Sequence, residues 1–268
     1  MGKIRVTSNF TLFIRTLKSE LVKLFFTRTF RVYSSVGFFL NAFVEYGFFK
    51  EYSSKTKSIP NSQDVVRLFL GSTQVIALVA SLVGAILITS EFSTGSLPNS
   101  VICAGGVKRL FKVKGLIGLL VGAVLSVISI LIGIFTSLLW STKTGHQVHW
   151  NHSIFFVIVG GFISVSLAGA WGIAIGTLVK KTTPAVIGIS VWTTTIETVI
   201  AAQSNWLDQW LPTGAQSAIV FGKEQSIIGV NPQSIVLGRF SATLVFIGWI
   251  FLANVISLRM IRRKGFAA

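Results

Sequence analysis

Residues 115–142 run for 28 positions without a single charge, and 153–179 run for 27. A helix rises 1.5 Å per residue, so about 20 apolar residues cross the hydrocarbon of a bilayer. Runs this long cannot be hidden inside one soluble domain of 268 residues. Two more uncharged stretches, 68–90 and 240–258, meet the same requirement. Another two are interrupted: 32–49 contains Asn41 and Glu45, and 182–203 contains Glu197. The expectation is an all-α integral membrane protein with six transmembrane helices in a single domain spanning 1–268. Composition agrees where it decides something: only 12% of residues are charged, too few to solvate a soluble surface. The lone Cys103 rules out a disulfide framework, and its place in a loop predicts a buried or interfacial thiol.

Six spans place both termini on one side, and the cations choose that side. The segment before the first span, the loops at 108–114 and 180–181, and the C-terminal segment carry seventeen Lys and Arg, against seven in the opposite loops. The positive-inside rule then predicts a multi-pass cell-membrane protein with both termini cytoplasmic. The net charge of +16 is read as lipid-facing and orienting rather than as a nucleic-acid footprint. The first apolar run starts too late, behind too charged a segment, for a cleavable signal. Trp140, Trp150, Trp206 and Trp210 flank outer loops and suit an interfacial belt.

Residues 10–31 alternate as an amphipathic helix. Phe13, Leu17, Leu21 and Leu24 lie along one face, with Arg15, Lys18, Lys23 and Arg28 elsewhere, which predicts a helix lying on the membrane. After the second span, Gly95 can turn the chain, Ser96 can cap a new helix, and Leu97, Val101 and Ile102 supply its apolar side. A short cytoplasmic helix is therefore expected between the acidic Glu91 and the basic run Lys108, Arg109, Lys112 and Lys114. Residues 204–238 are too apolar for a free loop and too broken for a span, so a re-entrant or interfacial hairpin is expected before the last helix.

The stretch Ile88-Thr-Ser-Glu91-Phe-Ser-Thr-Gly95-Ser-Leu97, followed by Lys108-Arg109 and Lys114, resembles the permease subunits of ATP-binding cassette transporters of the type-2 exporter class. Ser19-Glu20-Leu-Val-Lys23-Leu is similar to the helix that precedes the first span in that family. Two positions depart from the pattern: Pro98 stands where the family has Arg, and Ala104-Gly105-Gly106 replaces a Pro turn. The resemblance implies a coupling helix worked by Glu91, Gly95, Ser96, Leu97, Lys108, Arg109 and Lys114, with Glu91 anchoring either a cation on the ATPase or backbone amides of its own loop. It further implies two permease chains, identical or homologous, and a cytoplasmic ATP-binding subunit that holds ATP and magnesium. The cargo would be hydrophobic or amphipathic, such as a peptide antibiotic, a lipid or a drug-like molecule.

The chain has no phosphate loop, because Gly222-Lys223 lacks both the upstream Gly and the following Ser or Thr. It is therefore expected to be a transport subunit without a cofactor, not an enzyme. His146, His149 and His152 are spaced poorly for zinc and lack a fourth ligand, so no metal site is expected. Glu45, roughly 21 Å along the helix from Arg31, can snorkel to the outer interface or line a substrate path, and Glu197, beside Thr193, Thr194 and Thr195, has the same two options. A second reading of these carboxylates is an ion-coupled secondary transporter. The GxxxG pairs Gly118/Gly122 and Gly172/Gly176 are expected to pack helices within the chain.

Overall fold

A computed structural model describes residues 9–26, 28–54, 62–148, 150–222 and 237–264. Every regular element among them is helical. In chain order these are α1 (Asn9–Phe26), α2 (Arg28–Ser54), α3 (Ser62–Gly71), α4 (Thr73–Ser93), α5 (Leu97–Ala104), α6 (Val107–Thr144), α7 (His152–Val179), α8 (Thr182–Val191), a π turn at Trp192–Ile196, α9 (Glu197–Gln203), α10 (Asn205–Asp208), α11 (Pro212–Phe221) and α12 (Arg239–Lys264).

Five stretches are long and apolar enough to cross a membrane: Ser62–Ser93, Val107–Thr144, His152–Val179, Thr182–Gln203 and Arg239–Ile261. They mark an all-α membrane protein. The expected first span, within α2, is long enough at 27 residues but falls below the apolarity of the other five. Its polar residues point inward: Asn41 and Glu45 are buried, while Phe38, Phe39 and Phe43 are exposed on its outer side. The expected interfacial helix 10–31 is split, because α1 ends at Phe26 and α2 begins at Arg28.

The centre is built from α4, α6 and α7. Where α7 crosses α4 and α6 the contact is backbone to backbone, at glycines. A Cβ at Gly172 would overlap the Ser81 carbonyl of α4, and one at Gly122 would overlap the Val165 carbonyl of α7. Gly118 and Gly169 face each other across α6 and α7, and Gly176 meets Ala85. Both GxxxG pairs thus serve packing inside the chain, as their spacing predicts. The main hydrophobic cluster fills the rest of this seam with Ile76, Val83, Ile117, Val121 and Val165, and extends to Ala215 and Ile219 of α11 and Phe246 of α12.

Helix ends follow local chemistry. Asn151 caps α7 by accepting from the Ile154 amide at 3.1 Å. Gly145 ends α6 at φ +74°. Pro212 opens α11, where its missing N–H costs nothing.

Several expectations about single residues change. Cys103 is exposed, not buried. Trp140 is fully buried against Phe69 and stacks on His146 at 5.6 Å, so it belongs to the interior, not to an interfacial belt; Trp150, Trp206 and Trp210 are exposed. His152 packs edge-on against Phe156 instead of beside His146, and His149 lies outside the described residues. Among the described residues no group of three metal-ligating side chains gathers. In the segment 204–238, α11 is buried against α7 and α12, and residues 223–236 lie outside the described residues.

Candidate functional site

The short helix expected after the second span is α5, and two turns of one kind set it apart. At the end of α4, Gly95 takes φ +65°, its amide reaches the Phe92 carbonyl at 3.3 Å, and the Ser96 amide reaches Glu91 at 3.1 Å. At the end of α5, Gly105 takes φ +69°, with Gly105 bonded to Ile102 and Gly106 to Val101, both at 3.0 Å. Each is a Schellman closure, which needs a left-handed residue and therefore favours Gly. The second one does the turning for which the resemblance expected proline. Arg109 adds to it by donating from Nη1 to the Ala104 carbonyl at 2.9 Å.

Ser96 sits at the N-cap position but makes no cap bond, because its backbone is already helical at φ −82°, ψ −11° and its hydroxyl pairs with Thr94 at 3.0 Å. Leu97 is buried with Ile88, Phe92, Leu110 and Ile173, as expected. Ile102 is not on that side: it is 77% exposed, next to Cys103. The outward surface of α5 is therefore Pro98, Asn99, Ile102 and Cys103.

Glu91 does not face outward. Lys114 of α6, only 4% exposed, donates to Glu91 Oε1 at 2.6 Å and also to Glu20 Oε2 of α1. Lys23 closes the cluster, bonding Glu20 at 2.7 Å and lying 3.7 Å from Glu91, and it reaches Ser100 of α5 at 3.4 Å. Two carboxylates and two ammonium groups thus join α1, α4, α5 and α6 at one point. Within the chain the partners of Glu91 Oε1 are the cations Lys114 and Lys23, not backbone amides of its own loop. Lys108 and Lys112 remain exposed and outside the cluster.

The electrostatics balance. Burial alone would push the Glu20 carboxyl up, but the charges and hydrogen bonds of Lys114 and Lys23 outweigh it and hold that group below its ordinary value. Burial would likewise lower Lys23, yet Glu20 and then Glu91 raise it. A buried cation between two carboxylates is stable only as a set, because removing one member leaves an uncompensated charge. Beside the cluster, α1 and α5 leave a cleft of about 580 Å³ bordered by Arg15, Thr16, Ser19, Asn99 and Cys103.

Glu20 is the site residue that the sequence reading left without a role. The signal was present: Phe13, Leu17, Glu20 and Leu24 fall on one helical stripe, so the carboxylate stands inside the apolar face.

The two carboxylates expected near a substrate path are held in different places. Glu45 is 1% exposed and accepts from Ser72 Oγ at 2.6 Å, facing Gly133 of α6, with Asn41 bonded to Ser129 one turn away. It does not snorkel. Glu197 is also buried, but its Oε2 accepts from the Thr213 amide at 2.7 Å and so caps α11. Thr193 and Thr194 bond back to the Ile189 and Ser190 carbonyls instead. No family model matches the chain, and no curated protein matches it.

Proposed function

We propose that this chain is the membrane-spanning permease subunit of a type-2 ATP-binding cassette exporter. It has six spans, α2 being the first, with both termini cytoplasmic, and it works beside a second permease chain. It moves a hydrophobic or amphipathic molecule outward on ATP hydrolysed by a separate cytoplasmic subunit. The observation that carries the reading is Lys114 bridging Glu20 and Glu91. A subunit without its own nucleotide site must receive force through a small cytoplasmic surface. A short helix fixed between two glycine turns, with Ser100 hydrogen-bonded to Lys23 of an ion cluster that joins three longer helices, suits that task. The exposed Ile102 and Cys103 offer the ATPase its contact, and the cluster behind them passes displacement to α4 and α6. The inward-facing Asn41 and Glu45, with phenylalanines on the outer side of α2, support α2 as a sixth span in lipid.

The test is purification of the tagged chain from its native membranes. An exporter subunit carries an ATP-hydrolysing chain with it, and reconstituted vesicles accumulate cargo only with ATP. Ile102→Asp at the exposed face of α5 should then release the ATPase while leaving the chain folded. The buried Glu45 keeps one alternative in view, an ion-coupled carrier. Transport driven by a proton or sodium gradient, without any ATPase and abolished by Glu45→Gln, would replace the exporter reading with that one.

A further inference from the structure

A second chamber lies away from the ion cluster, between α7, the π turn and α12. Trp171, Trp192 and Trp249, with Ile175 and Ile189, line an apolar cavity of about 250 Å³. Its walls are braced from behind: Trp249 Nε1 donates to the Trp210 carbonyl at 2.8 Å, and Trp171 meets the Trp249 ring edge-on at 6.3 Å. Trp171 and Thr193 also border a smaller cavity of about 110 Å³, whose other walls include Gln74, Ser81, Thr213, Gln216 and Ser217. No residue lining either cavity is charged. The two share Trp171 and Thr193 as walls, and the larger approaches the lower end of the range for small-ligand pockets, about 300–1,000 Å³.

The π turn makes this arrangement. The Glu197 amide bonds to the Trp192 carbonyl five residues back, which widens the helix where Trp192 and Thr193 enter the two cavities. Such turns recur at functional sites. Glu197 fixes the polar end as well, holding the Thr213 amide and lying beside its hydroxyl.

The geometry points to a binding site for a single-chain amphiphile, its apolar chain among the three tryptophans and an uncharged, hydrogen-bonding head among the hydroxyls and amides. An anionic head would leave water without meeting any cation in these walls, so it is disfavoured. Naming the occupant as cargo rests on the permease reading; the binding itself does not.

The test uses the reconstituted chain in phosphatidylcholine nanodiscs and a brominated alkyl glycerol ether, which quenches nearby tryptophan. Gly188 lines the apolar cavity, and a Cβ there meets nothing within 4 Å, so Gly188→Leu fills the space without a clash. Gly47 of α2 is equally open, and Gly47→Leu is the control. Wild type and Gly47→Leu should show a saturable quenching component that Gly188→Leu lacks, and the same chain with a sulfate head should bind at least about tenfold more weakly. Quenching that never saturates, or that survives in Gly188→Leu, overturns the site. Equal binding of the sulfate overturns the head-group assignment. If binding behaves as expected but Gly188→Leu exports normally with ATP, the occupant is not cargo. Absence of any ATPase from the wild-type preparation would instead remove the permease reading and leave the site standing.

Discussion

Replacing Lys114 by Met tests the ion cluster most directly. The substitution keeps an unbranched side chain one atom shorter and deletes its charge, leaving Glu20 and Glu91 facing each other in a largely buried site. Breaking a buried pair by removing one partner costs about 3–5 kcal/mol. Lys23 remains within 3.7 Å of both carboxylates but is half exposed and compensates only in part, which places the cost near the lower end, about 3 kcal/mol. For a chain of this size that is a fall in unfolding midpoint on the order of 10 °C. The second variant carries the argument: Lys114→Met with Glu91→Leu removes the orphaned charge and leaves Glu20 with Lys23. Exchange of a buried pair for apolar groups is close to neutral, so the double variant should regain most of the loss. Tryptophan-monitored melting of detergent-solubilised protein, with size exclusion after heating, measures both. A single variant as stable as wild type, or a double variant below the single, would refute the cluster as described. If the exporter reading proposed above holds, the double variant also separates scaffold from coupling, because it should fold well and yet fail to stimulate a partner ATPase during export.

Three further outcomes follow from the same contacts. The Glu20 carboxyl is held below 4.5, so its contribution is complete above that value and is lost as pH falls through its depressed pKa. Lys23 is raised above 10.5, and its contribution is lost only as pH rises through that raised value. Melting of wild type should therefore show no loss from Glu20 or Lys23 between about pH 5 and pH 10, and a midpoint that drops steadily from pH 8 to pH 5 would contradict it. Glu197→Ala removes the cap on α11 and should cost about 1–2 kcal/mol in melting, whereas Glu197→Gln keeps an acceptor and should cost much less; equal losses would show that the charge matters more than the cap. In intact cells an impermeant maleimide should leave the exposed Cys103 unlabelled until permeabilisation, and should label Gln147→Cys in a Cys103→Ser background at once; the reverse pattern would invert the topology.

The fold was most legible where one physical requirement acted alone. Uncharged runs of more than 20 residues located α4, α6 and α7, and Gly95 with Ser96 located the start of α5. Tertiary pairing was less legible, because it joins positions far apart in sequence. Lys114 reads as one more basic residue at the mouth of a span, and Glu20 as a surface partner of Lys23 three residues on. Each nonetheless stands in a buried stripe, Lys114 between Leu110 and Ile117 on α6, and Glu20 between Leu17 and Leu24 on α1. A charge in an apolar stripe demands an opposite charge, and these two stripes supply each other. The inward turn of Glu45 was hidden for a related reason: its distance from the membrane surface was readable, but which face of α2 met the protein was decided by the phenylalanines opposite it. Glu197 was assigned to its own helix because the amide that it caps is 16 positions away, past an intervening turn.

The glycine seam has a mechanical consequence. Where α7 meets α4 and α6, carbonyls and α-carbons touch with no side chains between them, so neither rotation nor separation of these helices is possible without overlap or a void. The three helices therefore travel as one stiff block. On the exporter reading proposed above, a push on α5 would be carried along α6, which at 38 residues is roughly 57 Å long and reaches from the Gly106 turn to the stacked Trp140 and His146. On that reading, deformation would fall on the Thr182–Gln203 stretch, which is little buried and is already widened at its π turn. Residue size thus distinguishes two regions: glycine marks the closely packed seam, and the threonine-rich turn lies in the stretch with the least packing around it.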